Sequence, residues 1–321
     1  MRPLATWLVV GSLAVLGLFA VRDAFRGQET AASSPRPERL EKRLHAPPGG
    51  ATAPPIANHV ALREQLESLG VDGVLYVTNA DCRRFLLELP SLVWTTPQGL
   101  PGPDCTRGTQ PVVDQRFGVS AVQVAADAIE ARGQGWRLRF QGNDPAFTPS
   151  GTLTFLRAGR LFEWTVHCQP GARPTTFEGW RMIKRCPHPV AGAPEQLREV
   201  VWLSDSQFAA VAGPERAASL VVVGNGVTTR IFNAVGARLG ALSASPRGRY
   251  VAARVDENLV VFDLQRRGAL AGGSGARAIA WSPDERFWAV AVEDSIAVFS
   301  ARQPGQSAVT LPLSAFGLEW R

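Results

Sequence analysis

Lysine is nearly missing from this chain: all but two of its 34 basic residues are arginine, Lys42 and Lys184 being the exceptions. Charged residues are few as well, 19% against 45% hydrophobic. That balance excludes an intrinsically disordered chain, and 321 residues leave room for one large domain or two ordinary ones. A concentrated basic surface is also missing. The net charge of +6 and the pI near 9.7 come from Arg2, a small surplus over residues 22–59 and a thin excess spread over the long remainder. Proteins that track phosphates gather basic side chains in a stripe to release counterions, so nucleic acid is not an expected partner. An arginine excess spread over the whole chain, with abundant Ala, Gly and Pro, reads as the coding bias of a GC-rich bacterium.

Catalytic signatures are equally scarce. No serine stands on a Gly-x-Ser-x-Gly elbow, and Gly224-Asn225-Gly226 lacks the Lys-Ser/Thr ending of a phosphate loop, so it reads as a hairpin tip between Val-rich strands. His45 and His59 fall in or beside a proline-rich stretch, leaving His167 and His188 for the body. Neither sits in a recognisable nucleophile–base–acid arrangement. His167, Cys168, Cys186 and His188 are residue types that zinc takes, but neither pair has the short gap that lets ligands converge. As neighbours in a strand, His167 and Cys168 would also point to opposite faces. Asp256-Glu257 and Glu293-Asp294 lack the alternating oxygen ligands of a calcium loop and read as solvated turns. Trp136 to Phe140 alternates aromatic or apolar residues with arginine, as a half-buried strand does. No catalytic, cofactor-binding or metal-binding residue is assigned, and no cofactor is expected.

Against this scarcity stands one long apolar run. Residues 1–3 precede Leu4 to Val21, an uncharged stretch of 18 residues. As a helix it would be about 27 Å long, close to the thickness of a hydrocarbon core. Leu18-Phe19-Ala20 lacks the small residue that a cleavage site needs at its first position, so the run reads as an uncleaved transmembrane signal anchor. Arg22 and Arg26 would, by a literal positive-inside count, hold the body in the cytoplasm. The Met-Arg start and four cysteines in two local pairs favour export, so the body is expected outside a cell membrane crossed once. Residues 22–57, with Pro35, Pro37, Pro47, Pro48, Pro54 and Pro55, form a semi-extended linker. Residues 58–70 are expected as a short amphipathic helix capped by Asn58, with Leu62, Leu66 and Leu69 packed on the domain and Gly70 as its stop.

The body repeats itself. Ser245-Pro246-Arg247-Gly248-Arg249-Tyr250-Val251-Ala252 aligns with Ser282-Pro283-Asp284-Glu285-Arg286-Phe287-Trp288-Ala289 at an offset of 37, and the same offset carries Val260-Val261-Phe262 onto Ala297-Val298-Phe299. Weaker copies start at Thr148-Pro149-Ser150-Gly151 and at Trp202-Leu203-Ser204-Asp205. Each unit is a short apolar strand, a polar turn, a strand of apolar and small residues, a second turn and a Val/Phe-rich strand. Such a meander cannot bury both faces alone, but repeated at about forty residues it stacks radially so that each sheet covers the next.

These residues resemble the β-propeller repeats of the TolB and Trp-Asp-repeat (WD40-like) type over roughly Gly70 to Arg321. No Gly-His opens the units and no Trp-Asp closes them, Phe262-Asp263 being nearest, which favours the TolB-like shape. The resemblance implies an all-β propeller domain over residues 71–321. The first unit, from Val71, lacks its leading strand, and Leu318-Glu319-Trp320 matches Ile279-Ala280-Trp281, so the C-terminal segment is expected to complete the first blade. At about forty residues per blade the domain holds six, with five as the alternative because Gly99 to Ala131 reads as irregular.

Cys82 and Cys105 enclose 22 residues, and Cys168 and Cys186 enclose 17. Two local disulfides suit these spacings, each worth about 3 kcal/mol in the chain-entropy model, although four cysteines allow three pairings. The expected role is that of a membrane-tethered extracytoplasmic module that binds a protein, peptide or cell-wall component and is not an enzyme. The alternative is a metal-dependent hydrolase of lactonase or phosphoesterase type, which needs inward-facing polar side chains from several units. Aligning the units shows no carboxylate repeated at one equivalent position.

Overall fold

The structure, a computed structural model, describes residues 56–80, 83–95, 112–114, 118–133, 136–165, 175–177, 180–182 and 186–321. The apolar run 4–21, the linker as far as residue 55, Cys82, Cys105, His167 and Cys168 lie outside them, and only the backbone of Cys186 is described. The expected anchor and disulfides therefore fall outside the described residues. Among those residues no helix is long and apolar enough to cross a membrane.

The short repeats dictate short strands. After helix α1 (His59–Leu69) come β1 (Gly73–Thr78), β2 (Arg84–Leu89) and β3 (Val93–Thr95). A second meander holds β4 (Val112–Asp114), β5 (Val119–Ala125), β6 (Ala128–Gly133) and β7 (Trp136–Gln141). The third, β8 (Asn143–Phe147), β9 (Leu153–Arg157) and β10 (Arg160–Thr165), runs out into a ribbon of β11 (Thr175–Phe177) and β12 (Trp180–Met182) before β13 (Cys186–Pro189) returns as its fourth strand. Three regular meanders follow: β14 (Leu197–Ser204), β15 (Gln207–Ala212), β16 (Ala217–Gly224) and β17 (Val227–Val235); β18 (Leu239–Ala244), β19 (Tyr250–Val255), β20 (Asn258–Asp263) and β21 (Gly268–Ser274); β22 (Ala278–Trp281), β23 (Phe287–Ala291), β24 (Ile296–Ser300) and β25 (Gln303–Leu311). The last strand is β26 (Gly317–Trp320). Six four-stranded antiparallel sheets result, numbered 1 to 6 in chain order. The stretch from Gly99 to Ala131, irregular by its sequence, carries β4, β5 and the start of β6. It lacks a Ser-Pro turn, so its strands carry no repeat signal.

Sheet 1 has the order β26-β1-β2-β3, so the C-terminal segment supplies the strand that the first unit lacks. Leu75 lies opposite Trp320 and Val77 opposite Leu318. Beyond the strand, Val74 and Arg321 exchange N–H···O bonds of 2.8 and 2.9 Å. Arg84 Nη2 donates to Glu319 at 2.7 Å, and Trp320 Nε1 donates to the Asp72 carbonyl at 3.0 Å. β26 thus occupies in sheet 1 the place that β22 occupies in sheet 6, with a tryptophan at the end of each.

The second strands show why the sheets stack in succession. Successive residues of a strand face opposite ways, and all five residues of β23 are buried. Phe287, Ala289 and Ala291 enter a core shared with sheet 1, while Trp288 and Val290 enter one shared with sheet 5. β19 divides likewise, Val251 and Ala253 toward sheet 4, Tyr250 and Ala252 toward sheet 6. In β15, Phe208 and Ala210 meet sheet 3, and Ala209 and Val211 meet sheet 5. A further core joins Ala121, Ile129 and Ala131 of sheet 2 to Leu153 and Phe155 of sheet 3. Each of these middle strands is buried between two neighbours, the arrangement of a β-propeller. The alanines of the middle strands let those neighbours approach.

Helix α1 closes against the core of sheets 6 and 1 through Leu66, fully buried, and Leu62, half-buried; Leu69 stays largely outside. Gly70 stops the helix at φ 67, as expected, but Asn58 does not cap it. Asn58 has φ 56 and makes no side-chain capping bond, whereas a capping side chain needs an extended backbone to reach the first free N–H groups. Ile56, assigned to the linker, packs on the same core.

Candidate functional site

The first strands of sheets 3, 4 and 5 each lose register near their start: β8 between Asn143 and Ala146, β14 between Leu197 and Glu199, β18 between Gly240 and Ser243. Asp144 and Ala241 adopt left-handed conformations there, with φ 50 and 51. A bulge puts backbone N–H groups outside the ladder, and buried ones must find acceptors elsewhere. The preceding sheet supplies them. Gln123 of β5 accepts the Asp144 N–H at 3.1 Å, Asp144 Oδ2 accepts the Val200 N–H at 2.6 Å, and Glu199 accepts those of Leu242 and Ala241.

Arginines make the converse link to carbonyls. Arg198 Nη2 donates to Leu239 at 3.2 Å and Arg254 Nη2 to Ala276 at 2.6 Å. The Nε atoms of both are buried with no partner among the described residues. Before β22 and β26, Arg277 Nη1 and Ser314 Oγ both donate to the Glu293 carbonyl. The Arg277 guanidinium also lies 5.2 Å from the centre of the exposed Phe316 ring. Polar side chains therefore link sheets 2 to 6 and back to the segment entering sheet 1, all at the end where the first strands begin.

Two carboxyl groups dominate the electrostatics here. Burial pushes Asp144 up to about 7, the charge of Glu199 adds to the effect, and the Val200 N–H opposes it. Burial also raises Glu199, against the N–H groups of Leu242 and Ala241 and the charge of Arg198. Both residues keep part of their surface in solvent. Asp144 can therefore hold a proton up to about 7.

The turns at the opposite end explain the Ser-Pro signature. Ser245 Oγ accepts the Tyr250 N–H and Ser282 Oγ that of Phe287, both at 2.9 Å, while Thr148 Oγ1 accepts that of Thr152 at 3.0 Å. Acids from the next sheet clamp these turns. Asp205 accepts the Ser150 N–H at 2.6 Å, and buried Glu285 takes the Arg247 N–H at 2.7 Å together with the Ser245 hydroxyl. Trp202 Nε1 donates back to Thr154 and Trp281 Nε1 to Ser243, at 2.8 and 2.9 Å. Asp263 is fully buried and fixes its own turn through the N–H groups of Gln265 and Arg266. A polar recess of about 240 Å³ lies near Ser204, Gln207 and Asn225, at the far end of β14 from Glu199.

Asp144 and Glu199 both lie near the starts of neighbouring first strands, Asp144 within the bulge of β8 and Glu199 paired with Val211. Gly224-Asn225-Gly226 is the expected hairpin tip, and Asp256-Glu257 and Glu293-Asp294 lie between strands. His188 lies in β13 opposite Glu163. Among the described residues, no three His, Cys, Asp or Glu side chains are grouped closely enough to hold a metal.

No family model matches the chain, and no curated protein matches it. Among solved structures, a structural-genomics protein from Lactobacillus plantarum is 10% identical with a TM-score of 0.51, the match covering 78% of this chain and 99% of that one. The β-propeller domain of Cps50 (Swd1) from Myceliophteria thermophila is 14% identical with a TM-score of 0.40, covering 63% and 69%. The tricorn protease is 12% identical with a TM-score of 0.39, covering 73% of this chain and 25% of that one. These likenesses bear on the fold alone.

Proposed function

We propose that this chain is a non-catalytic binding module: a TolB-like propeller of six blades, closed by the C-terminal strand that completes the first blade, that recognises a protein, peptide or cell-wall component. In this reading residues 4–21 cross the membrane once, residues 22–57 are a tether, and the propeller stands outside the cell. The observation that carries the binding role is the use made of Gln123, Asp144, Arg198, Glu199 and Arg254, each of which holds backbone of the next sheet. These groups build a rigid frame, and a frame that fixes loops from several sheets at one end suits recognition over a broad surface.

Phe316 is the probe for that surface, because it is 55% exposed and lies at the end where the first strands begin. A photo-crosslinking residue in its place, in intact cells, is expected to give a discrete adduct with an envelope component. Such an adduct must be missing when the crosslinker replaces Val227, 64% exposed at the opposite end of the sheet, where β17 begins. Equal labelling from both positions, or none from Phe316, overturns the assignment of the face. A stoichiometric divalent ion in the purified full chain would overturn the non-catalytic reading in favour of a hydrolase.

A further inference from the structure

We propose that Asp144 is a proton-operated latch on the joint between sheets 3 and 4, closed when its carboxyl is neutral and loosened when it ionises. The inference goes beyond the binding role and does not depend on it. Its basis is the geometry of the joint. Asp144 occupies the bulge of β8 in a left-handed conformation, and its two polar arms face opposite neighbours. Its N–H is held by Gln123 of sheet 2, and its Oδ2 holds the Val200 N–H of sheet 4 at 2.6 Å. One residue thus pins three successive sheets.

The side chains around it favour the neutral form. The neighbour on β5, Gln123, carries no charge to compensate a carboxylate. From β14 the facing charged group is Glu199, of the same sign. Arg198, the nearest cation on that strand, acts on Glu199 and spends a guanidinium nitrogen on the Leu239 carbonyl. Glu199 is held in place by the N–H groups of Leu242 and Ala241. Ionised Asp144 consequently faces a fixed like charge in a poorly solvated joint, and opening the joint to water relieves both penalties. A neutral carboxyl keeps a carbonyl oxygen for the Val200 N–H, so the bond survives protonation.

The test is hydrogen exchange of the full chain in detergent, following peptides that contain Val200 and correcting for the intrinsic effect of pH. Protection of this segment is expected to fall, by up to about tenfold per pH unit, as pH rises from the ordinary carboxylate range, and to level off above the transition, where the carboxyl of the closed joint is itself ionised. In Asp144→Asn, which keeps the acceptor and cannot ionise, protection is expected to be independent of pH. In Glu199→Gln the transition is expected at lower pH, because the like charge is gone. Peptides of β23, remote from the joint, provide the internal reference. A wild-type segment with constant protection overturns the latch, as does Asp144→Asn with the wild-type profile or Glu199→Gln with an unmoved transition. If Asp144→Asn does not fold, the position of the Glu199→Gln transition decides alone.

Discussion

At the scale of single residues, acids in this protein do two opposite things. Asp284 and Asp144 show the contrast. Burial works against the charge of Asp284, but hydrogen bonds from the Arg286 side chain and N–H and from Ser282 prevail and hold it down to about 2. Such a group stabilises the fold above the ordinary carboxylate range, and the contribution is lost as pH falls through that value. Asp144 is displaced upward, to about 7, so the folded state binds the extra proton. Its effect on stability is neutral below the ordinary carboxylate range, and stability falls as pH rises from there through about 7. The thermal midpoint is therefore expected to be highest near pH 5 and lower at pH 8. Asp144→Asn is expected to reduce the decline above pH 5, leaving the part due to the raised Glu199, and to leave the acid limb in place, as differential scanning calorimetry at a series of pH values would read. A wild-type midpoint that rises between pH 5 and 8 would contradict this balance. Little of it is legible in the sequence. Asp144 and Glu199 interact across two neighbouring sheets whose first strands lose register near their starts, and no periodicity in one dimension records that.

Elements are far easier to read, for a physical reason that particular residues make plain. Ser245 and Ser282 have the same job, accepting an N–H five residues on within the same turn. A local hydrogen bond of this kind demands the same residue type at the same spacing, so it leaves a repeat. The sequence between β4 and β5 has no Ser-Pro, and these strands leave no mark that a repeat search can find. The strand that completes sheet 1 is legible because Trp320 repeats the place of Trp281. Its contribution can be measured by deleting residues 316–321. That change removes the partner of Leu75 and Val77, the Arg84–Glu319 ion pair and the Trp320 contribution to the core. Losing a buried tryptophan alone costs about 3–5 kcal/mol, so a severe drop in the unfolding midpoint is expected. An unchanged midpoint would show that the closure of sheet 1 adds nothing to the fold.

At the scale of the whole molecule, stacked sheets make the second strands β15, β19 and β23 each answer to two cores. That is why Ala209, Ala253 and Ala289, all fully buried, sit where a single-core sheet would carry large side chains. With the proposed topology, Cys82, Cys105, Cys168 and Cys186 lie outside the cell and are paired. Thiol labelling of the unreduced, denatured full chain is expected to find none of them free, and labelling of all four would place the body in the cytoplasm. Local turns repeat and so announce the fold; the surface that meets a partner is assembled from loops, which no repeat constrains. The pairing of β1 with β26 also bears on biosynthesis, since the Trp320 indole and the Asp72 carbonyl that it holds are 248 positions apart. At about 5–20 residues per second a ribosome needs roughly 12 to 50 seconds to cover that distance. Throughout that interval the nascent hairpin of β1 and β2 carries an edge that waits for its partner strand.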